Sequence, residues 1–320
     1  MDFVGVVDRG TNVVEVKPTT ICNLRCRYCF VSAGKHPREF VADHEYLARA
    51  VDAVAQYKGR HELEVHVAPY GESLAYPEIF DLVRACRGVP GVEVVSVQTN
   101  GFLLDEENVR RLEDAGVTRV NVSVNTFDPA LARYLACVPA ADARRQVEGL
   151  RLVLESKVDL LLAPVWFPGK NDADVVQVIE YVKARRKEGY SERSVQIGVQ
   201  KFLRYKHGRK FRGVREWTFP YFYERLRELE REHRLKLVLS PKDFGIHPRP
   251  TLRPPVRQGE EVKVEVVARG RSPKEHVARL EVDPRFAVKV LSRRPLSGGE
   301  RLKVTLSKAK VKENLLVAAP

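Results

Sequence analysis

From Asn12 to Leu203 the chain alternates short β-branched runs with longer stretches whose apolar residues recur every three or four positions. The short runs predict strands at Asn12–Lys17, Glu64–Ala68, Val94–Gln98, Arg119–Val124, Val158–Val165 and Ser194–Lys201. The amphipathic stretches predict helices at His44–Lys58, Pro77–Arg87, Asp105–Ala115, Pro129–Ala136, Ala143–Glu155 and Ala173–Lys187. Asp105 ahead of Glu106 and Glu107, and Asp172 ahead of Asp174, read as N-terminal caps with acidic first turns. Such alternation implies an α/β fold, a parallel sheet covered by helices. Six βα units fall short of a complete eight-stranded barrel. An open, partial (β/α)6 TIM-like barrel or a doubly wound sheet remains, and in both the active site gathers at the carboxyl ends of the strands.

A further helix is predicted at Pro220–Glu232, followed by a short strand at Lys236–Leu239. Residues 241–255 contain Pro241, Pro248, Pro250, Pro254 and Pro255, which sustain neither a helix nor a central strand. They read as a stiff linker between residues 1–240 and 256–320. Past it, Glu260–Ala268, Val277–Val282, Phe286–Leu291, Arg301–Thr305 and Leu315–Ala318 are β-like runs separated by Gly- and Pro-containing turns. Four or five short strands in so small a segment suit a closed or nearly closed β-barrel, which removes exposed edges.

Composition narrows the class. The 320 residues are 44% hydrophobic and 30% charged, too apolar for disorder and without a collagen period. The longest apolar run, Leu160 to Pro168, is far short of the roughly 20 residues that span a bilayer. Met1-Asp2-Phe3 opens without the basic and apolar regions of a secretion signal. A cytoplasmic protein with no membrane partner is expected. Charge is unevenly placed: residues 1–199 hold 25 Lys+Arg against 28 Asp+Glu, whereas residues 200–320 hold 30 against 14. The plentiful charge, 19 Pro and one Met fit a thermophile's surface. The asymmetry instead suggests that one part performs chemistry while the other holds a polyanion.

Three of the five cysteines crowd into Cys22-Asn-Leu-Arg-Cys26-Arg-Tyr-Cys29, directly after the first predicted strand. Thiolates at this spacing can converge on one metal centre. A tetrahedral zinc site would want a fourth ligand, commonly from a second CxxC or a His pair, and neither is evident. A four-iron cluster held by three cysteines leaves one iron open to a chelating molecule. Zinc, or three unrelated thiols, are the alternatives.

The CxxxCxxC loop, with Tyr28 just before its last cysteine, resembles that of the radical S-adenosylmethionine (SAM) superfamily. The resemblance implies a [4Fe-4S] cluster on Cys22, Cys26 and Cys29. It implies SAM chelated at the open iron, cleavage to a 5′-deoxyadenosyl radical, and an electron donor such as a ferredoxin or flavodoxin. Tyr70-Gly71-Glu72-Ser73 is similar to the family's Gly-Gly-Glu segment, with Tyr70 in place of the first Gly. There Glu72, helped by Gly71, would accept hydrogen bonds from the SAM ammonium. By the same resemblance Ser123 and Asn125 serve the ribose, and Thr99 and Asn100 are further SAM contacts, although Asn100-Gly101 and Asn125 also suit turns. Pro168-Gly169-Lys170-Asn171-Asp172 looks like a segment of radical SAM activases, in which Asn171 would reach the adenosine; a Gly turn capping the next helix is the alternative.

Lys201–Arg212 carries six Lys or Arg among Phe202, Tyr205 and Phe211. Cations for phosphates and rings for stacking are what single-stranded nucleic acid requires, which nominates Lys201, Arg204, Tyr205, Lys206, Arg209, Lys210 and Arg212 as an RNA contact. A solvated basic loop is the plainer reading. Residues 256–320 resemble a TRAM domain in Gln258–Glu265, Pro295–Val304 and the closing Lys308-Ala-Lys310-Val-Lys312, though Gly270–Glu275 has less glycine than that family. They hold 15 Lys+Arg against 8 Asp+Glu, a net of +7. A lid or dimerisation barrel is the alternative.

Cys86 and Cys137 are too few for the second cluster of the sulfur-inserting tRNA enzymes or of two-cluster wyosine synthesis. Cys137 is a candidate hydrogen donor or covalent partner, and Cys86 reads as core. The expected function is therefore RNA modification, of tRNA foremost, by hydrogen abstraction. Rivals are a radical SAM enzyme acting on a small molecule or peptide, and a non-catalytic iron–sulfur RNA-binding protein.

Overall fold

The computed structural model describes residues 3–310 and 315–320. Val311 and Lys312 of the closing basic run, like Met1 and Asp2, lie outside the described residues.

A seven-stranded sheet forms the first part. Its strands are β1 (Gly5–Asp8), β2 (Val13–Lys17), β3 (Leu63–Val67), β4 (Val92–Thr99), β5 (Arg119–Val122), β6 (Asp159–Leu162) and β8 (Val195–Ile197), in that spatial order. From β2 onward every pairing is parallel. Helices α1 (His44–Lys58), α2 (Ile79–Arg87), α3 (Glu106–Ala115), α4 (Pro129–Ala136), α5 (Ala143–Glu155) and α6 (Asp172–Lys187) connect them. Asp105 caps α3 by accepting from the Asn108 N–H, as its acidic first turn predicts. The sheet is open and curved, the partial barrel of the sequence expectation.

Two differences have plain causes. Strand β1 joins antiparallel to β2 and was not expected, because Val6 and Val7 alone are too short an apolar signal. Lys236–Leu239 is not a strand: the Glu230 carboxylate accepts from the Leu237 and Val238 N–H groups at 2.7 and 2.8 Å, so those donors need no neighbouring strand. Glu230 lies on α7 (Phe219–His233), which packs Phe222, Leu226 and Leu229 onto the main core. Two predicted strands also break near their ends. Val165–Trp166 becomes β7 and Gln200–Lys201 becomes β9, pairing as a short parallel ladder outside the main sheet.

Strand parity divides the sheet chemically. Val14, Val16, Val65, Val67, Val95, Val97, Val120 and Val122 belong to the apolar core that includes Leu47, Val51, Leu82 and Leu150 of the helices. The alternate residues Glu15, Glu64, His66, Ser96, Gln98, Arg119 and Asn121 form the opposite, polar face.

Residues 241–255 do not hang free. Asn12 Nδ2 donates to the Glu62 and Gly245 carbonyls, its Oδ1 accepts from the His247 N–H, and the Arg249 N–H reaches the Gly10 carbonyl. Below them Lys58, with no exposed side-chain surface, pairs with Asp8 at 2.5 Å and donates to the Pro250 carbonyl at 3.2 Å. A buried cation is tolerable only with such compensation. The proline-rich segment is thus strapped across β1 and the start of β2.

The last part is a closed five-stranded barrel of β10 (Glu261–Arg269), β11 (Glu275–Leu280), β12 (Ala287–Leu291), β13 (Arg301–Lys310) and β14 (Leu315–Ala319). They close in the order β10-β11-β12-β14-β13, with only β12 and β14 parallel. That is the Greek-key arrangement of OB-type barrels. Inward Val262, Val264, Val266, Leu280, Val288, Val290, Leu306 and Leu316 fill it. The two parts touch at one place that matters. Arg271, in the β10–β11 turn, is buried between the rings of Tyr70 and Phe3, 5.8 and 6.0 Å from their centroids.

Candidate active site

The cysteine loop leaves the carboxyl end of β2 and is braced on three sides. The Arg25 and Arg27 N–H groups donate to the Ala136 and Leu135 carbonyls at the end of α4, and Arg27 Nε donates to the Tyr134 carbonyl at 2.8 Å. From the other side Arg209 donates to the Cys26 carbonyl at 3.0 Å and the Ala33 carbonyl at 2.5 Å, while its own N–H reaches the Cys29 carbonyl at 2.8 Å. Ser32 Oγ donates to the His207 carbonyl. Gly208 lies so close that a Cβ there would meet the Phe30 backbone at 3.0 Å. Beneath the loop, Tyr28 packs at 4.6 Å on Phe167, which sits with Phe202, Phe211 and Leu135 in a second apolar cluster.

Backbone N–H groups point at two of the three sulfurs: Leu24 to Cys22 Sγ at 3.4 Å and Ala33 to Cys29 Sγ at 3.3 Å. Burial pushes the Cys22 thiol up to about 11, helped by the nearby Glu72 carboxylate, and the Cys26 thiol up to about 12, helped by its two neighbouring thiols. Half-buried and crowded, Cys22 and Cys26 resist ionisation alone, and the three thiols become good ligands once a cationic centre compensates them. This donor set fits a cluster with three protein thiolates. Cys86 is buried in α2 and packs in the main core. Cys137 is exposed, closes α4 in a left-handed conformation (φ 55°) and contacts the Tyr134 carbonyl at 3.6 Å.

Beside the loop, the chain leaving β3 runs into Tyr70-Gly71-Glu72. A Cβ on Gly71 would stand 1.9 Å from the Ile21 carbonyl oxygen, so only glycine lets this turn touch the cysteine loop. The Glu72 N–H then donates to that carbonyl at 2.8 Å. The Glu72 side chain is 2% exposed, and it accepts from Thr99 Oγ1 at 2.5 Å, the Asn100 N–H at 2.8 Å and the Leu74 N–H at 3.1 Å. Burial raises its carboxyl above the usual range, against the pull of Thr99 and Asn100. A cation brought beside it would favour the charged form. Asn100 Nδ2 donates to Asn23 Oδ1 of the cysteine loop at 2.7 Å.

The next strand ends complete the face. Gln98 Nε2 donates to Ser123 Oγ at 3.1 Å. Asn125 Nδ2 donates to the Tyr28 hydroxyl at 2.6 Å, and its Oδ1 accepts from the Val165 N–H. Burial, with Cys26 nearby, keeps the Tyr28 phenol protonated well above its usual range. Asn171 behaves otherwise than expected. It is fully buried, donating to the Asn125 and Val165 carbonyls at 3.0 Å and accepting from the Phe167 N–H at 2.7 Å. Its amide positions the strand end rather than reaching outward to an adenosine.

The basic loop also divides. Phe202 and Phe211 are 4% and 2% exposed and so offer no stacking face, contrary to the sequence expectation. Lys201 pairs with Glu216 at 2.8 Å, Arg204 reaches the Val214 carbonyl, Lys210 reaches the Tyr205 carbonyl at 2.7 Å, and Arg209 is the brace already described. Lys206, Arg212 and Tyr205 are exposed. Sequence reasoning missed Arg209's bracing, Gln98, and the polar face of the sheet. The last was legible as Val-x-Val alternation in β2 to β5.

On that face His66 Nδ1 lies 2.8 Å from Ser96 Oγ, which donates to Glu64 Oε1 at 2.6 Å, where Arg119 also binds. Burial lowers the His66 pKa, opposed by Glu64 and Glu15, and burial likewise lowers that of His276 in β11. For a base with a depressed folded pKa the unfolded chain binds more protons, so stability is present above the unfolded value near 6.5 and declines as pH falls through it. The unfolding midpoint is expected to drop between about pH 8 and about pH 5.5, and a His66→Asn, His276→Gln double variant should flatten that drop; an undiminished drop in the variant would contradict the assignment.

The family model described as "Radical SAM superfamily" matches residues 16–182, from the end of β2 through most of α6. This chain belongs to the radical SAM superfamily. Its relatives include the uncharacterized protein MJ0103 of Methanocaldococcus jannaschii, 32% identical over 286 residues, which cover 83% of this chain and 66% of that protein. GTP 3',8-cyclase of Limosilactobacillus fermentum is 28% identical over 181 residues, 55% of this chain and 52% of the cyclase. The chain therefore spans about half the length of such cyclases and about two thirds of the archaeal relative. Among solved structures, HydG, a maturase of the [FeFe]-hydrogenase, superposes with a TM-score of 0.57 at 14% identity, covering 72% of this chain and 53% of that one. Native anSMEcpe with bound AdoMet superposes with a TM-score of 0.51 at 19% identity over 72% of this chain and 64% of the other. These two likenesses establish the partial-barrel fold. As a radical SAM protein the chain is an enzyme whose cofactors are a [4Fe-4S] cluster and SAM. Among the described residues no helix is long and apolar enough to cross a membrane.

Proposed function

We propose that this radical SAM enzyme modifies RNA, tRNA foremost, by hydrogen abstraction in a reducing compartment, drawing electrons from a ferredoxin or flavodoxin. The observation that carries this reading is the placement of the basic barrel: its β10–β11 turn delivers Arg271 to the Tyr70 ring, one residue from the Gly71–Glu72 turn beside the cysteine loop. In OB-type barrels that first turn is one of the two that contact oligonucleotides. In this reading Cys22, Cys26 and Cys29 hold the cluster, which with SAM supplies one-electron cleavage and the hydrogen-abstracting species. Glu72 receives the SAM ammonium, with Thr99 and Asn100 fixing its carboxylate, while Ser123 and Asn125 face the ribose. Asn125 is held by Tyr28, and Asn171 fixes the backbone beside it. Residues 1–240 thus form the catalytic part, and residues 256–320 the part that grips the strand.

A free nucleotide is the second reading, favoured by the cyclase relatives whose name specifies GTP. The two separate on salt. RNA held through several phosphates loses affinity steeply, with a log–log slope of about −0.7 per phosphate contact for single strands. Transfer RNA binding to the holoenzyme is expected to weaken at least about 10-fold between about 50 and 200 mM salt, and nucleosides from a deletion strain should lack one modified base. Salt-independent binding together with an unchanged nucleoside profile would overturn the RNA reading.

A further inference from the structure

Three aromatic rings from three different segments meet at the rim of the cysteine loop. Phe30 directly follows Cys29, Tyr70 precedes Gly71, and Tyr205 stands in the basic loop. The Phe30 ring centroid lies 5.5 Å from that of Tyr70, edge-on at 78°, and 5.5 Å from that of Tyr205, tilted at 53°. Phe30 and Tyr205 are each 47% exposed. Exposure of two large rings side by side is costly unless something covers them. It is also no accident of a loose loop. Phe202 and Phe211 anchor the basic loop in the second apolar cluster, and Gly208 and Arg209 lock it to the Cys29 and Phe30 backbone. Tyr205 is consequently held in register with the cluster ligands.

Charge surrounds the rings on both sides. Lys17 Nζ, buried and paired with Glu15 at 3.0 Å, lies 4.5 Å from the Tyr70 centroid and buried Arg271 lies 5.8 Å from it, while Lys206, next to Tyr205 in the chain, is exposed. Rings flanked by cations are the recognition chemistry of single-stranded nucleic acid: π-faces accept any base and cations follow the phosphates.

We propose that Tyr205, Phe30 and Tyr70 form a stacking rail that receives an unpaired base of the RNA strand and leads it to the cluster. The proposal rests on the RNA reading above and adds the surface by which the strand enters. Tyr205 and Phe30 supply the open faces, Tyr70 joins the rail to the SAM turn, and Lys206 holds the backbone on the approach. The rail ends on Arg271, so the β10–β11 turn of the barrel continues it.

The test is fluorescence anisotropy of a labelled single-stranded RNA of about 12 nucleotides on the reconstituted holoenzyme, with iron content measured for every variant. Tyr205→Ala is expected to weaken binding about 10-fold and Tyr205→Phe to restore it, with the salt slope unchanged because no cation is lost. Lys206→Ala should instead lower that slope by about one phosphate contact. Ultraviolet crosslinking of the bound oligonucleotide should label peptides holding Phe30 or Tyr205. Parental affinity in Tyr205→Ala, with crosslinks elsewhere, overturns the rail while leaving the RNA reading standing. A parent protein that binds no oligonucleotide overturns both. Competition by GTP alone, with no oligonucleotide binding, assigns the rings to a free nucleotide and overturns the proposal as stated.

Discussion

Replacement of Cys22, Cys26 or Cys29 by serine is expected to abolish the brown iron–sulfur chromophore and to bring SAM cleavage below detection. The reason is geometric as well as chemical. One loop supplies all three thiols, and it is fixed at both flanks by the α4 carbonyls and by Arg209. A hydroxyl neither ionises near neutral pH nor matches iron's preference for thiolate. With only two sulfurs left, the loop holds no further thiol to replace the third. Iron content, visible absorbance and 5′-deoxyadenosine yield after reduction report the loss, and Cys86→Ala, altering a core thiol, serves as the comparison. A serine variant at any of the three that retained full iron and full turnover would remove the basis of the assignment.

The second large effect is at Glu72. Glu72→Gln is expected to weaken SAM binding about 100-fold or more while leaving the cluster in place. The buried carboxylate is preorganised by Thr99, Asn100 and Leu74, so a ligand ammonium meets it without paying to arrange it. Removing one partner of a desolvated charge pair costs about 2–5 kcal/mol, because the other charge is left unmatched. The amide also sets its NH2 against the Asn100 N–H, which now lacks an acceptor. Titration of SAM into cluster-loaded variant and parent gives the ratio. Equal affinities would mean that Glu72 merely caps the short helix at Ser73–Ala75, which its bond to Leu74 already does.

The three-cysteine loop was legible before any coordinates because local spacing carries it, while the roles expected of those cysteines and of Glu72 came from the resemblance to the radical SAM superfamily. Cys22, Cys26 and Cys29 lie within eight residues, and a loop that short brings them together in nearly any fold. Gly71 and Glu72 are likewise adjacent, and the helix cap at Asp105 is a local hydrogen bond, whereas the cap expected at Asp172 falls on Asn171. Residues whose role depends on a distant partner were not legible in this way. Arg209 and Lys201 were read as phosphate contacts, since sequence shows a cation but not the Cys26 carbonyl or Glu216 that engages it. Asn171 looked outward-facing until its amide was seen spent on Asn125, Val165 and Phe167.

By itself, then, the sequence determined what depends on neighbours along the chain: a βα succession from strand and helix periods, a three-cysteine loop, and a basic tail of four or five short strands. Tertiary structure alone decided which cations remain exposed, which aromatics are buried, and that the tail's first turn lies against Tyr70. The physical reason is range. Period, spacing and capping act over a few residues, whereas burial and partner choice are set by segments some 30 to 200 positions apart, such as Asn100 with Glu72 and Arg209 with Cys26, which only the closed fold brings together.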